Sequence, residues 1–115
     1  MLPKGHRLNL RTGYRWVSSG KRIESDLLKL RLKYQDRNLE PRIGIAVPSK
    51  VFRKAYQRNR VKRLVSGAFE KLYPRLTKGI YILALPKVRV FEVQSVEVEE
   101  DLKKVLSKEG VINDN

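Results

Sequence analysis

The longest helical pattern in this chain lies between two short runs of strand-forming residues. Six apolar residues between 51 and 73 recur about 100° apart around a helix: Val61, Leu64, Val65, Ala68, Phe69 and Leu72. The run "RIGIAV" precedes this helix and "GIYILALP" follows it, and both are short and rich in β-branched or apolar residues, as buried strands are. If the two strands pair in parallel, the helix between them is a crossover connection.

The segment "DLLKLRLKY", residues 26–34, alternates apolar and basic residues, which predicts a strand with one face toward the core. We expect this strand to pair antiparallel with the strand at 42–47. Helical spacing also predicts a short helix at 10–19 that stops near Gly20, and an amphipathic helix at 95–110 that ends at Gly110. The acids of its first turns suit the helix dipole and are interpreted as structural.

These elements predict an α+β fold in a single domain spanning 1–115. We expect a single-layer central sheet of about four strands with helices packed on it, in the order α-β-β(-β)-α-β-α, where the optional strand lies around 22–24. A chain of 115 residues with 41% hydrophobic residues is the size of one compact domain. Residues of about 1–10 and 110–115 are expected to be flexible tails.

Positive charge is concentrated in the first half of the chain. The formal net charge is +14, and residues 1–63 hold 18 Lys or Arg against 4 Asp or Glu, whereas residues 64–115 hold 8 of each kind. Such an asymmetry favours a polyanionic partner bound by the N-terminal half. The chain has no cysteine and no apolar run of membrane-spanning length, which fits a cytoplasmic protein with no membrane partner.

The densest basic segment is "QRNRVKR" within the long helix. Asn59, Arg63 and Ser66 are predicted to lie opposite the apolar stripe, and Arg60 and Lys62 on its two flanks. Arg offers a planar fork of donors and Asn a directed donor and acceptor pair, so the combination suits recognition of a particular RNA shape better than a plain cationic patch does.

The residues do not indicate a self-contained nuclease. The one histidine, His6, lies in a basic segment without a carboxylate cluster, and Asp26, Asp36 and Glu40 are scattered among turns and strand ends. Composition alone leaves open a ribosomal or other structural RNA-binding protein. A DNA-binding helix reader is a third alternative, although no second helix of a helix-turn-helix motif precedes the basic helix.

A set of ordered motifs resembles the protein subunit of bacterial ribonuclease P over about residues 2–108. "LPKGHRL", "PRIGIAVPSK", "RNRVKRLVSGAF", "GIYILAL" and a final amphipathic helix occur in the order and spacing of that family. The resemblance implies a left-handed β-α-β crossover through the long helix. It also implies a holoenzyme whose RNA subunit removes the 5′ leader from precursor tRNA with Mg²⁺, so that the endonuclease chemistry resides in RNA and the protein has neither catalytic residues nor a dedicated metal site.

The resemblance assigns two binding surfaces. The partners it implies are ribonuclease P RNA and precursor tRNA, with the protein monomeric and one protein per RNA. The surface for the RNA subunit would comprise Lys50, Arg53, Lys54, Arg58, Asn59, Arg60, Lys62 and Arg63. The cleft for the single-stranded leader would comprise Tyr14, Trp16, Val17, Lys29, Arg31 and Lys33. An unpaired strand needs stacking platforms and an electrostatic groove, which these residue types provide.

Several positions depart from the family pattern, including "VPSK" where a Ser-Lys-Lys arrangement is usual. Ser18 stands where a second aromatic residue of the first helix is usual, and Arg31 where a strand aromatic is common, which shifts the cleft from stacking toward phosphate contact. Trp16 could compensate, or could be a partly buried anchor. Phe52 stands where Gly is frequent and Ser66 where another Arg is frequent.

The charge distribution generates a first prediction. With about six to ten phosphate contacts, affinity for RNA should fall by roughly 10³- to 10⁵-fold between about 50 and 200 mM salt, because bound counterions are released. Filter binding or fluorescence anisotropy over a salt series measures the slope. A nearly flat dependence would contradict a surface that acts through phosphates.

Overall fold

The computed structural model describes residues 2–112, which form three α-helices and one four-stranded sheet. In chain order the elements are α1 (Leu10–Ser18), β1 (Lys21–Glu24), β2 (Leu28–Tyr34), β3 (Arg42–Ile45), α2 (Ala55–Leu72), β4 (Ile80–Pro86) and α3 (Ser95–Glu109). Short 3₁₀ turns occur at Lys4–His6, Tyr73–Arg75 and Val88–Glu92. The predicted α+β class, element order and optional strand are confirmed.

The strand order in the sheet is β1-β2-β4-β3. β2 is antiparallel to both β1 and β4, and β3 is parallel to β4. The expected antiparallel pairing of 26–34 with 42–47 is therefore wrong, because β4 lies between those two strands. Since β3 and β4 are parallel, α2 is the crossover connection between them.

Strand β4 is covered on both faces. Its successive side chains point to opposite faces and so belong to two separate apolar clusters. Ile80, Ile82 and Ala84 face α2 and α3 in the larger apolar cluster, where β2 contributes Leu28, Leu30 and Leu32. On the other face Leu83 is completely buried against α1, with Tyr81 and Leu85 at the margins of that smaller cluster. Two helices thus cover one face of the sheet and α1 covers part of the other.

The long helix begins at Ala55, four residues later than the apolar pattern predicts. The side-chain Oε1 of Gln57 accepts a hydrogen bond from the Lys54 N–H at 3.1 Å and fixes this start. Residues 48–52 form a turn instead, in which the N–H groups of Val51 and Phe52 donate to the Pro48 carbonyl. Phe52 is buried in the main core, so the side chain found where Gly is frequent serves as a packing residue.

Ser66 is buried, with 2% of its surface exposed, so its predicted place on the outer face of α2 is wrong. The physical reason is the chain's N-terminal segment. Leu2 and the β3 residues Ile43 and Ile45 line one small cavity together with Ser66, which closes this flank of α2 from solvent.

The segments expected to be tails each contribute buried apolar residues to the core. Leu2 and Leu8 are buried, and the Leu8 N–H donates to the Ile43 carbonyl at 2.9 Å. Val111 and Ile112 are buried at the other end of the chain. Apolar side chains in both segments explain this packing, since each adds to an existing cluster. The remainder of the tail prediction, Met1 and residues 113–115, lies outside the described residues.

The acids of α3 tie this helix to its neighbours, as their structural interpretation requires. Asp101 Oδ2 accepts hydrogen bonds from Ser25 Oγ at 2.5 Å and from the Leu27 N–H at 3.2 Å, which holds the β1–β2 turn against α3. Glu99 forms a 2.8 Å ion pair with Lys71 of α2. Gly110 ends the helix in the left-handed conformation, with φ of 73°.

Tyr73 joins the N-terminal segment to the β3 end of the sheet. Its hydroxyl donates to the Pro41 carbonyl at 2.6 Å, and the His6 ring stacks on its ring with centroids 3.6 Å apart. Burial, with a smaller contribution from the Glu40 carboxylate, raises the pKa of Tyr73 above its ordinary value of 10.0. The folded state therefore favours the protonated phenol.

We expect Tyr73→Phe to lower the free energy of unfolding at pH 7 by about 0.5–1.5 kcal/mol, because the Pro41 carbonyl loses its donor. The raised folded pKa means that this contribution is fully present below the unfolded pKa of about 10 and is lost as the pH rises through the folded value. Urea unfolding of both proteins at pH 7 and at pH 11 measures it. An undiminished difference at pH 11 would contradict the role of the phenol proton.

Candidate RNA interface

The surface predicted for the RNA subunit, here called the α2 surface, consists of Lys50, Arg53, Lys54, Arg58, Asn59, Arg60, Lys62 and Arg63. All but Arg58 and Arg60 are exposed. Its last positions reach both flanks of the helix: Lys62 lines the cavity beside β3, and Arg63 lines the groove between α2 and α3. The first turn of α2 contains no acid, so the positive end of the helix dipole adds to the charge of these side chains.

Arg58 and Arg60 also shape this surface through bonds to the backbone. Arg58 Nη1 donates to the carbonyls of Phe52 and Arg53 at 2.9 Å each, which holds the loop before the helix. Arg60 donates from Nε to Phe91 and from Nη2 to Val93, at 3.0 and 3.1 Å, and its guanidinium lies 5.7 Å from the Phe91 ring centroid. Each guanidinium has five N–H donors, so both retain donors for a ligand.

The second surface depends on which face of β2 carries its basic residues. In the register with β4, Lys29 lies opposite Leu85, Arg31 opposite Leu83 and Lys33 opposite Tyr81. Directly opposed residues project from the same face of a sheet. The basic side chains of β2 therefore share the face on which α1 packs, next to the helix.

Helix α1 lies very close to the sheet. Asn9 Oδ1 accepts from the Arg11 N–H at 3.0 Å to cap the start of the helix, and Val17 is completely buried against Leu83. A Cβ on Gly44 of β3 would lie 2.6 Å from a Leu10 methyl group, and one on Gly20 would lie 2.2 Å from the Leu32 carbonyl oxygen of β2. The absence of a side chain at Gly44 and at Gly20 thus lets the chain cross the sheet closely, from β3 at the start of α1 to β2 just after its end.

The aromatic residues of α1 lie on opposite flanks of the helix. Helical geometry puts Tyr14 and Ser18 on one flank of Val17, and Trp16 on the other. Tyr14 is 41% exposed, whereas Trp16 packs edge-on against Tyr81 with ring centroids 5.4 Å apart. Trp16 is therefore a partly buried anchor against β4 and lies on the other flank of the helix from Tyr14.

Lys33 is engaged at the end of α1. Its Nζ donates to the Trp16 carbonyl at 3.2 Å and to Ser19 Oγ at 2.8 Å, and it lies 4.9 Å from the Trp16 ring centroid. A cation suits this place because the last carbonyls of a helix lack partners. Of the six residues predicted for the leader, Lys29 and Arg31 lie on the sheet face that α1 covers, and Tyr14 is exposed on the flank of α1 away from Trp16. Val17 is completely buried and therefore presents no surface to a ligand. We call Tyr14, Lys29 and Arg31 the α1 cleft.

Sequence reasoning missed Arg22 as a member of this cationic face. Arg22 lies directly opposite Arg31 in the β1–β2 register, and like charges in that arrangement repel each other. The neighbouring pair is Glu24 opposite Lys29, and the Glu24 carboxylate bonds Lys87 at 2.9 Å, which holds the pKa of Glu24 below its ordinary value. The period-two pattern of "KRIE" is too short to have assigned Arg22 to a face.

The side chains described here do not fit a protein-only metal site. Within residues 2–112, no group of three or more His, Cys, Asp or Glu could hold a metal ion. In the same range no helix combines the length and apolarity needed to cross a membrane.

The fold and the two cationic surfaces define a small basic α+β protein of the RNA-binding class. A family model described as Ribonuclease P matches residues 2–110. The chain is 32% identical to the ribonuclease P protein component of Pseudanabaena sp., with both chains covered completely. It is 36% identical to that of Rippkaea orientalis, covering 96% of this chain and 91% of the relative. The chain therefore belongs to the ribonuclease P protein family.

Solved structures agree with this membership. The chain is similar to the RNase P protein of Thermotoga maritima, with a TM-score of 0.78, 27% identity, and coverage of 89% of this chain and 96% of the other. The Staphylococcus aureus protein matches with a TM-score of 0.80 at 17% identity, covering 94% and 98% of the two chains, which shows the shared fold alone. Family membership decides against the ribosomal and DNA-binding alternatives.

We expect Gly20→Ala to destabilise the protein by about 1–3 kcal/mol, because its new methyl group would overlap the Leu32 carbonyl and push α1 away from β2. Thermal or urea unfolding measures the change. Gly67→Ala is a matched control, since a Cβ there meets nothing within 4 Å and a helix interior favours Ala over Gly by about 0.5–1 kcal/mol. Equal effects of the two substitutions would refute the close approach.

Proposed function

We propose that this protein binds the catalytic RNA subunit of ribonuclease P through the α2 surface and the 5′ leader of precursor tRNA in the α1 cleft. It thereby promotes endonucleolytic removal of the leader during 5′-end maturation of tRNA. One observation carries the leader assignment: the basic face of β2 lies on the same side of the sheet as α1, so Arg31 and Lys29 share the face on which α1 carries the exposed Tyr14.

The composition of the α1 cleft suits an unpaired strand better than a duplex. Tyr14 provides one aromatic platform, and Arg31 and Lys29 provide cations along the neighbouring strand. Ser18 on the same flank of the helix offers no second platform. The cleft therefore relies on phosphate contacts more than on stacking, and this balance predicts weak dependence on leader sequence.

The α2 surface suits a folded RNA. Exposed Asn59, Lys62 and Arg63 lie within little more than one turn of α2, and Arg58 and Arg60 hold the neighbouring segments through bonds to their carbonyls. Hydrogen-bonded segments present the donors in one arrangement, which favours recognition of a particular backbone shape over non-specific attraction.

The cleavage chemistry belongs in this proposal to the RNA subunit. Support comes from the acids of the described residues: Asp101 and Glu99 bond α3 to neighbouring elements, and Glu24 bonds Lys87. Mg²⁺ would be used by the holoenzyme with RNA phosphates as ligands, without a dedicated protein site. We further propose a cytoplasmic particle with one monomeric protein per RNA.

The two surfaces should respond differently to loss of one charge. Arg63→Gln should weaken assembly with ribonuclease P RNA by roughly 5- to 30-fold, because it removes a charged donor to RNA. Arg31→Gln should leave assembly unchanged and weaken binding of a long-leader precursor tRNA by a similar factor. Arg63 is preferred to Arg60, whose removal would also release the Phe91 and Val93 carbonyls. Anisotropy with labelled RNA measures both affinities.

The matched substrate for this comparison is mature tRNA without a leader. Equal losses from Arg31→Gln on leader-bearing and leader-free tRNA would refute the assignment of the α1 cleft. The function as a whole is tested by cleavage of 5′-labelled precursor tRNA by a bacterial ribonuclease P RNA at low Mg²⁺, with and without this protein. Stimulation of cleavage at the mature 5′ end is expected, and protein alone should be inactive; tight RNA binding without stimulation would overturn the proposal.

A further inference from the structure

A second groove runs along the flank of α1 opposite the α1 cleft. It encloses about 360 Å³, and six residues supply its polar and aromatic lining: Asn9, Thr12, Trp16, Gln35, Arg42 and Tyr81. Leu8 and Gly13 complete the floor. We call it the β3-edge groove. The functional assignment of the two surfaces leaves it without a ligand.

The inner end of this groove is aromatic and held in one geometry. Trp16 and Tyr81 meet edge to face at an interplanar angle of 83°, and both are only partly buried. Lys33 Nζ, 4.9 Å from the Trp16 ring centroid, also bonds the Trp16 carbonyl. A fixed aromatic pair that remains partly open offers a stacking surface at little entropic cost.

The outer end of the groove is cationic. Arg42 is exposed, and its Nη1 donates to the Arg7 carbonyl at 3.2 Å, which orients the guanidinium at the mouth of the groove. Past Leu8 and Arg42 the groove opens into a wider depression lined by Lys4 and Arg7. Within the described residues, the linings of both depressions contain no Asp or Glu.

Electrostatics and shape select the ligand class. Cations without acidic partners favour a polyanion, and an aromatic end favours one that carries flat rings. Gln35, Asn9 and Thr12 lie between the two ends, and their side chains suit the edge of a nucleobase. An acidic peptide would use the cations but not the aromatic pair, and a duplex would present no free base to stack.

We propose that the β3-edge groove binds an unpaired RNA strand, with one base against the Trp16–Tyr81 pair and the adjoining phosphates at Arg42 and Arg7. This site goes beyond the proposed function, because it lies on the other flank of α1 from Tyr14 and Arg31. The protein would then hold unpaired RNA on both sides of one helix.

The chain carries a built-in reporter for this site, because Trp16 is its only tryptophan. A short unstructured RNA oligonucleotide is titrated into the full-length protein while tryptophan fluorescence is followed. Saturable quenching is expected, and Arg42→Gln should raise the midpoint by roughly 5- to 30-fold. Lys103→Gln removes one charge from the exposed surface of α3, outside both proposed RNA surfaces, and should shift the midpoint by less than about twofold. Circular dichroism checks that both variants fold.

Three outcomes would overturn the proposal that the β3-edge groove binds unpaired RNA. The first is unchanged Trp16 fluorescence at concentrations where anisotropy of a labelled oligonucleotide shows binding. The second is an equal shift from Lys103→Gln and Arg42→Gln. The third is equal quenching by poly-glutamate of the same length, which would indicate charge without base stacking. Failure of the β3-edge groove proposal is distinguishable from failure of the leader assignment. The leader assignment is tested separately, by comparing the effect of Arg31→Gln on tRNA with and without a leader.

Discussion

The burial of β4 on both faces is the constraint on which the rest of the structure depends. This strand pairs with β2 on one edge and with β3 on the other, so its backbone groups are bonded within the sheet. Apolar side chains on both faces then require cover on each side, which α2 and α3 provide on one face and α1 on the other. Because β3 and β4 are parallel, the chain must cross the sheet between them, and α2 is that crossover. The topology therefore determines where the basic helix lies.

Close approach of α1 to the sheet shapes both of the proposed binding sites beside this helix. Gly44 and Gly20 let the helix rest on the strands, and Val17 and Leu83 fill the space beneath it. A helix lying this low leaves a channel along each flank. Arg31 and Tyr14 belong to one channel, and Arg42 and Trp16 to the other. The two channels differ because Arg31 of β2 supplies charge in the first, whereas the Trp16–Tyr81 pair lines the second.

Periodicity predicted which residues face the core, but not which strands are neighbours. The alternation of 26–34 and the apolar stripe of α2 are confirmed, since each is a local pattern with one consistent face. The same alternation fits any antiparallel partner, so the insertion of β4 between β2 and β3 was not predictable from it. Ser66 and Trp16 were misplaced or ambiguous for a related reason: their environments are made by Leu2 and Tyr81, which are distant in sequence. The family motifs predicted where the cleft lies. They could not predict that Lys33 is excluded from it, because that depends on the bonds of Lys33 to Trp16 and Ser19.

Concentrated charge links the stability of this fold to its ligand. Arg22 opposite Arg31, and the run of cations from Lys50 to Arg63, place like charges close together in the free protein. Repulsion of this kind lowers the stability of the compact state and is screened by salt. In the proposed complex an RNA phosphate near each cluster would remove the repulsion and add attraction, so binding and folding would stabilise each other. On this proposal the charges that weaken the isolated domain are the ones that attract RNA, and β4, buried in the apolar core, holds the elements that carry them in place.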